Sequence, residues 1–208
     1  MAIIAVATSK GGSGKTTLSI CLAAYLSETG HAVECLDTDR NKNLSEWIGR
    51  SKIGVPCQAV DEDDIVSAAR QAALRCEFVI VDVGGGLDRA LLWAVGVADF
   101  VLIPVKTDYK DAFEAGRTIS QIRSVEAMAQ GIRPGYKIRH ATVLVQVIKR
   151  AQVTSTTRQQ LQLFQIPVLD SEIPTRTAYQ QSSYHAQPLN EDTVRGDISS
   201  LCNEILGI

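Results

Sequence analysis

The sequence predicts an α/β fold, a mostly parallel twisted sheet with helices on both faces. Two patterns point there: short, nearly continuous apolar runs of strand length recur along the chain, and segments of helical spacing separate them. That alternation is the signature of βαβ units. Runs that are apolar throughout, rather than at every second position, suit strands buried on both sides. A third observation sets the scale. With 208 residues, 45% of them hydrophobic and 21% charged, the chain is long enough for one domain, 1–208, with a substantial core, and too short for two.

The first strand is expected at 3–7, an apolar stretch without the basic lead-in or cleavage signature of a signal peptide. Further strands are expected at 33–37, 55–60, 78–82, 100–105 and 141–147, with a short last one at 168–169. Helices are expected at 15–29, closed by Gly30; at 63–74, opened by an acidic cluster; at 87–95; at 111–128, ending near Gly131; at 154–164; and at 192–206. Two glycines and a proline break both periods at 131–137, which reads as a loop. No run reaches the roughly 18 apolar residues of a membrane-spanning helix. The five cysteines are scattered, with no C-x-x-C pair, which argues against a disulfide framework or a zinc site and for a reducing cytoplasm. A net charge of -2 excludes a chain that coats nucleic acid with its whole surface but leaves room for a local basic patch.

The chemistry concentrates at Lys10-Gly11-Gly12-Ser13-Gly14-Lys15-Thr16-Thr17, between the first strand and the first helix. A Gly-rich turn in that position presents consecutive backbone N–H groups to a phosphate, and the helix N-terminus adds its positive dipole end. Lys15 supplies a charge to the β- and γ-phosphates, and the Thr16 hydroxyl can ligate Mg²⁺. The common pattern G-x-x-x-x-G-K-[ST] asks for glycine at position 9, where this chain has Ser9. The form present, with the additional Lys10, resembles the deviant Walker A motif of the ParA/MinD superfamily of P-loop NTPases. The resemblance implies ATP and Mg²⁺ as cofactors, with Gly11 to Thr17 around the phosphates. It also implies a homodimer sandwiching ATP, in which Lys10 reaches the partner's nucleotide.

Phosphoryl transfer to water needs a metal at the β- and γ-oxygens and a group that orients the water. The apolar run 78–82 ends in Asp82, the form of a Walker B motif, whose acid holds Mg²⁺ directly or through water; a strand-end Asp also commonly caps the next turn. The run 33–37 continues into Asp37-Thr38-Asp39. In ParA-like proteins this segment commonly reads Asp-x-Asp-Pro-Gln, so the resemblance places Asp37 near the metal and makes Asp39 the water-orienting group. Arg40-Asn41 stands where the family has Pro-Gln, and Val83-Gly84-Gly85-Gly86 where it often has Thr-Pro-Pro after the Walker B acid. Three glycines give a flexible second switch that can approach the γ-phosphate through backbone N–H groups.

Similarity extends through 100–111 and through Leu169–Arg176, Tyr179 and the acidic 190–192. By that resemblance the segment near Pro174 and Arg176 closes over the adenine. Lys149, Arg150, Arg158 and Arg176 are the candidate DNA-facing cations, since such side chains neutralise phosphates without reading sequence. No asparagine stands at 147–149 to meet the adenine. Trp47 is expected in the core of a short helix.

The function implied is a partition ATPase similar to ParA: an ATP-closed dimer that binds DNA nonspecifically until a centromere-binding, ParB-type partner stimulates hydrolysis. The chain begins almost at its phosphate loop, like short partition ATPases, and the same machinery positions other cargoes. It would be cytoplasmic, on the nucleoid when ATP-bound. A MinD-like membrane cycle needs a basic amphipathic tail, but 197–208 has no lysine or arginine, so stable membrane association is not expected. A metabolic enzyme on the same fold is the remaining alternative.

Overall fold

The computed structural model describes residues 2–86, 88–148 and 151–207. Seven strands form one sheet: β1 (Ala2–Val6), β2 (Val33–Asp37), β3 (Cys57–Ala59), β4 (Phe78–Asp82), β5 (Phe100–Lys106), β6 (Arg139–Val147) and β7 (Val168–Pro174). Their order is β3-β2-β4-β1-β5-β6-β7, and each neighbouring pair is parallel. The helices are α1 (Lys15–Glu28), α2 (Asn43–Arg50), α3 (Ile65–Ala73), α4 (Asp88–Val97), α5 (Tyr109–Ala129), α6 (Gln152–Leu163), α7 (Thr177–His185) and α8 (Asp192–Leu206).

Alternation along the strands builds two cores. Ile3, Ala5, Ala7, Val79 and Val81 pack with α3 to α6 on one face, while Ile4, Val6, Cys35 and Ile80 pack with α1, α2 and α8 on the other. Both faces are covered, as strands apolar at every position require.

Three elements, β3, β7 and α7, differ from expectation. The strand expected at 55–60 shortens to β3 at the sheet edge. The last strand runs on to Pro174, through Asp170, Ser171 and Glu172, because β7 is the other edge and keeps one side toward solvent. Helix α2 buries Leu44, Trp47 and Ile48 at helical spacing, which puts Trp47 in the core as expected. Helix α7 had no periodic signal, since only Ala178 and Ser182 are buried among tyrosines, glutamines and serines.

The amphipathic tail is α8. Its apolar side, Val194, Ile198, Leu201, Cys202 and Ile205, is buried. The Tyr25 hydroxyl of α1 hydrogen-bonds Ser199 at 2.9 Å. Among the described residues no helix is long and apolar enough to cross a membrane.

Candidate active site

Strand β1 sits at the point where the sheet order reverses, with β4 on one side and β5 on the other. In open α/β sheets this switch point, beyond the carboxyl ends of the strands, is where ligands bind. The register makes it acidic: Asp82 pairs with Val6, the last residue of β1, and with Asp37, the last of β2. The phosphate loop that follows β1 therefore starts level with both carboxylates.

Gly14 caps α1 in the left-handed region, φ 87°, where a side chain would be strained. No side chain caps this helix and no acid occupies its first turn, so its N–H groups remain available to an anion. Lys15 is buried, and its Nζ donates to the Lys10 carbonyl at 3.0 Å. Burial pulls the Lys15 pKa down against the opposing charges of Asp82 and Asp39.

Asp82 is 1% exposed and accepts from the Thr16 hydroxyl at 2.7 Å and from Ser19 at 2.9 Å. Burial raises its pKa to about 7 even against those two donors, and the nearby Asp37 adds to the rise. Two buried carboxylates with a hydroxyl between them and the helix start form an all-oxygen donor set that suits a hard divalent cation. Among the described residues no group of three or more His, Cys, Asp or Glu side chains is arranged to hold a metal. Mg²⁺ takes one or two protein oxygens and completes its shell with water and phosphate. Thr16 hydrogen-bonds Asp82, which lies in register with Asp37.

Asp37 accepts the backbone N–H groups of Asp39 at 3.1 Å and Ser45 at 2.8 Å. Asp39 is half-buried, its carboxylate fixed by the Asn41 N–H at 2.9 Å. It faces a cavity of about 550 Å³ shared with Asp37, Thr38 and Arg40. The tri-glycine segment lies on the phosphate loop: a Cβ on Gly85 would come within 3.1 Å of Gly11 Cα and 3.4 Å of Lys15 Nζ, and the Gly86 N–H donates to the Ser9 carbonyl at 3.2 Å.

Lys10 is ion-paired in its own chain with Asp111 of α5, a buried acid that also accepts the Lys106 N–H at 3.2 Å. The hydrogen bond to Asp111 raises the Lys10 pKa and keeps it charged. Sequence reading missed this partner, 101 positions away.

Beside the first turn of α1 lies a second cavity, of about 320 Å³, lined by Thr17, Gln146, Ile173, Pro174, Arg176 and Tyr179, among others. Its shape depends on a bulge in β6. The β6–β7 register slips between Val145 and Val147, and Gln146, with φ 54°, is the extra residue. Bulges re-aim side chains, and here a primary amide, donor and acceptor at once, lines the cavity just before the window where an asparagine was sought. Pro174 and Arg176 line the same cavity. Arg176 is held by Asp197 through Nε at 2.7 Å and a terminal nitrogen at 2.9 Å. The Tyr179 hydroxyl donates to the same carboxylate at 3.1 Å.

Of the candidate DNA contacts, Arg158 and Arg176 lie among the described residues, and each has a carboxylate partner. Arg158 donates to the Leu169 carbonyl at 2.7 Å and to Glu172 at 2.8 Å, whereas Arg176 is tied to Asp197. Lys149 and Arg150 lie outside the described residues. Ser19, Asp111, Gln146 and Tyr179 join the site without having been assigned to it. Of these only Ser19 carried a usable signal, one helical turn after Thr16 on the same face.

The profile of the CobQ/CobB/MinD/ParA nucleotide binding domain matches residues 4–189. The chain belongs to this family. It is 29% identical over 213 residues to "Maintenance of carboxysome distribution protein A" of Halothiobacillus neapolitanus, covering 98% of this chain and 95% of the relative. It is 30% identical over 184 residues to "Protein ParA" of Rhizobium radiobacter, covering 86% and 81%. Its fold matches an ATP complex of a Cyanothece McdA variant with a TM-score of 0.79 at 16% identity, over 100% and 97% of the two chains. Within the family this chain is a ParA/MinD-type ATPase.

Proposed function

We propose that this ATPase is a partition motor of the ParA type, which binds ATP and Mg²⁺, closes into a homodimer, and holds DNA nonspecifically until a ParB-type partner triggers hydrolysis. The observation that carries the reading is Lys10. A charged lysine on the phosphate loop adds nothing to its own site beyond what Lys15 supplies, and its 35% exposed side chain is free to exchange Asp111 for a second protomer's phosphates. Thr16, Asp37 and Asp82 hold Mg²⁺, which neutralises charge on the phosphate oxygens. Lys15 and the α1 N–H groups grip the phosphates. Asp39 orients the water, and Gln146, Pro174 and Arg176 surround the adenine. Lys149 and Arg150 are the first DNA contacts to test, because Arg158 and Arg176 already have carboxylate partners.

The cargo is DNA in this reading. Near-complete coverage of the carboxysome distribution protein favours a second one, in which the same nucleotide cycle positions a protein assembly over DNA. A membrane cycle fits less well, since the apolar side of α8 is packed in the core.

Binding to nonspecific DNA and to anionic liposomes, each measured with ATP, ADP and no nucleotide, tests the proposal. Binding to DNA that requires ATP and weakens with salt is the expected result. Liposome binding that requires ATP would sink it, and the absence of both would favour a metabolic enzyme. Asp39→Ala should trap the ATP-bound dimer; normal hydrolysis by that variant would remove Asp39 from its role.

A further inference from the structure

Thr38 lies between the two acids of the second strand's end, and its side chain faces inward, 6% exposed. Its backbone N–H and its hydroxyl both lie 3.1 Å from the Asp82 carbonyl. The same hydroxyl oxygen accepts the Gly84 N–H at 3.1 Å. Gly84 is buried at the point where the chain leaves β4, and a buried N–H without a partner is costly. Two residues later the segment rests on the phosphate loop through Gly85 and the Gly86–Ser9 hydrogen bond. A single hydroxyl thus connects the loop that carries Asp39 to the glycine segment that covers Gly11 and Lys15.

We propose that Thr38 is a positioning residue for ATP hydrolysis, its hydroxyl fixing the tri-glycine switch against the phosphate loop in register with Asp39. The proposal rests on the assignment of Asp39 as the water-orienting group and is independent of what cargo the ATPase moves. With the hydroxyl in place, the N–H groups of the switch and the carboxylate of Asp39 are held to one frame, the end of β4. Without it, the buried Gly84 N–H loses its partner, and the segment is left to the Val83–Val6 and Gly86–Ser9 hydrogen bonds on either side, with no glycine side chain to replace the contact. ATP would still bind, because Lys15, Thr16 and the helix start are untouched, but the groups around the attacking water would lose their alignment, which is where small displacements are expensive.

Thr38→Val removes the hydroxyl while keeping the shape, and Thr38→Ser keeps the hydroxyl while removing the methyl. Steady-state ATPase assays should show Thr38→Val with kcat lowered about tenfold and KM for ATP within about twofold. Thr38→Ser should stay within about threefold of the unaltered protein in both. Hydrogen exchange of the segment 83–86 should accelerate in Thr38→Val and not in Thr38→Ser, with ADP affinity unchanged as the sign of an intact nucleotide site. If Thr38→Val does not fold, Thr38→Ala takes its place in all three measurements. An unchanged kcat, an equal loss in Thr38→Ser, a loss confined to KM, or unaltered exchange would each overturn the proposal. Failure of the unaltered protein to bind DNA with ATP strikes the partition reading and leaves this one standing.

Discussion

At the phosphate end of the cleft, the working groups are charges and a hydroxyl held by one another or by nearby backbone: Lys15, Thr16, Asp37 and Asp82 lie at the ends of three adjacent strands or just beyond them. At the other end, in the cavity proposed for the nucleoside, the lining is a bulged glutamine, a proline, an arginine already paired with Asp197, and partly buried apolar surface. The first end is rigid because its carboxylates sit on central strands with both neighbours in register. The second is assembled at the edge of the sheet from β6, β7 and α7, where register slips twice. The groups proposed for the reaction thus occupy the stiff centre of the sheet, whereas the cavity proposed for the base lies at the margin, where sequence change costs less stability.

Substitutions at the two ends should therefore differ in size. The largest effect is expected at Lys15: Lys15→Ala should weaken ATP binding by at least ~100-fold, since it deletes a charge-assisted contact in a buried site. Isothermal titration checks this, and near-native affinity would mean that the α1 N–H groups suffice for the phosphates. Gly85→Ala should come next. Its Cβ would stand 3.1 Å from Gly11 Cα, inside the ~3.5–4.0 Å of ordinary carbon contact, so the switch and the loop must part by a few tenths of an ångström. Turnover should fall about tenfold while ADP binding, followed by a fluorescent analogue, stays within about twofold. Turnover that survives Gly85→Ala would show that the switch works from another position. The smallest effect belongs to the margin. Gln146→Ala should raise KM for ATP about threefold, leave kcat nearly constant and narrow the preference for ATP over GTP. A large drop in kcat there would erase the contrast between the two ends.

Legibility follows the same division. The phosphate loop could be read directly because its residues are consecutive, and a strand-loop-helix setting leaves little freedom in how eight adjacent residues are used. Asp37, Asp39 and Asp82 were legible because apolar strands announce their own ends. Gln146 was not, because nothing in a residue string says that a strand will bulge at one position and turn that side chain into a cavity. Asp111 was hidden for another reason: its pairing with Lys10 is made by the packing of α5 beside the loop, across 101 positions of chain. Helix α7 stayed invisible because a surface helix that buries two small residues has no apolar stripe to detect.

By itself the sequence determined the fold class, the family resemblance and the chemistry of the phosphate loop, since these depend on local periodicity and on residues that are neighbours in the chain. Tertiary structure alone decided that Lys10 is held by Asp111, that the Thr38 hydroxyl bridges the Asp82 carbonyl and the Gly84 N–H, and that Gln146 lines the cavity beside the start of α1. Each of those is a contact between segments far apart in the chain. Its free energy depends on the register and packing of whole strands and helices, which no single stretch of sequence encodes.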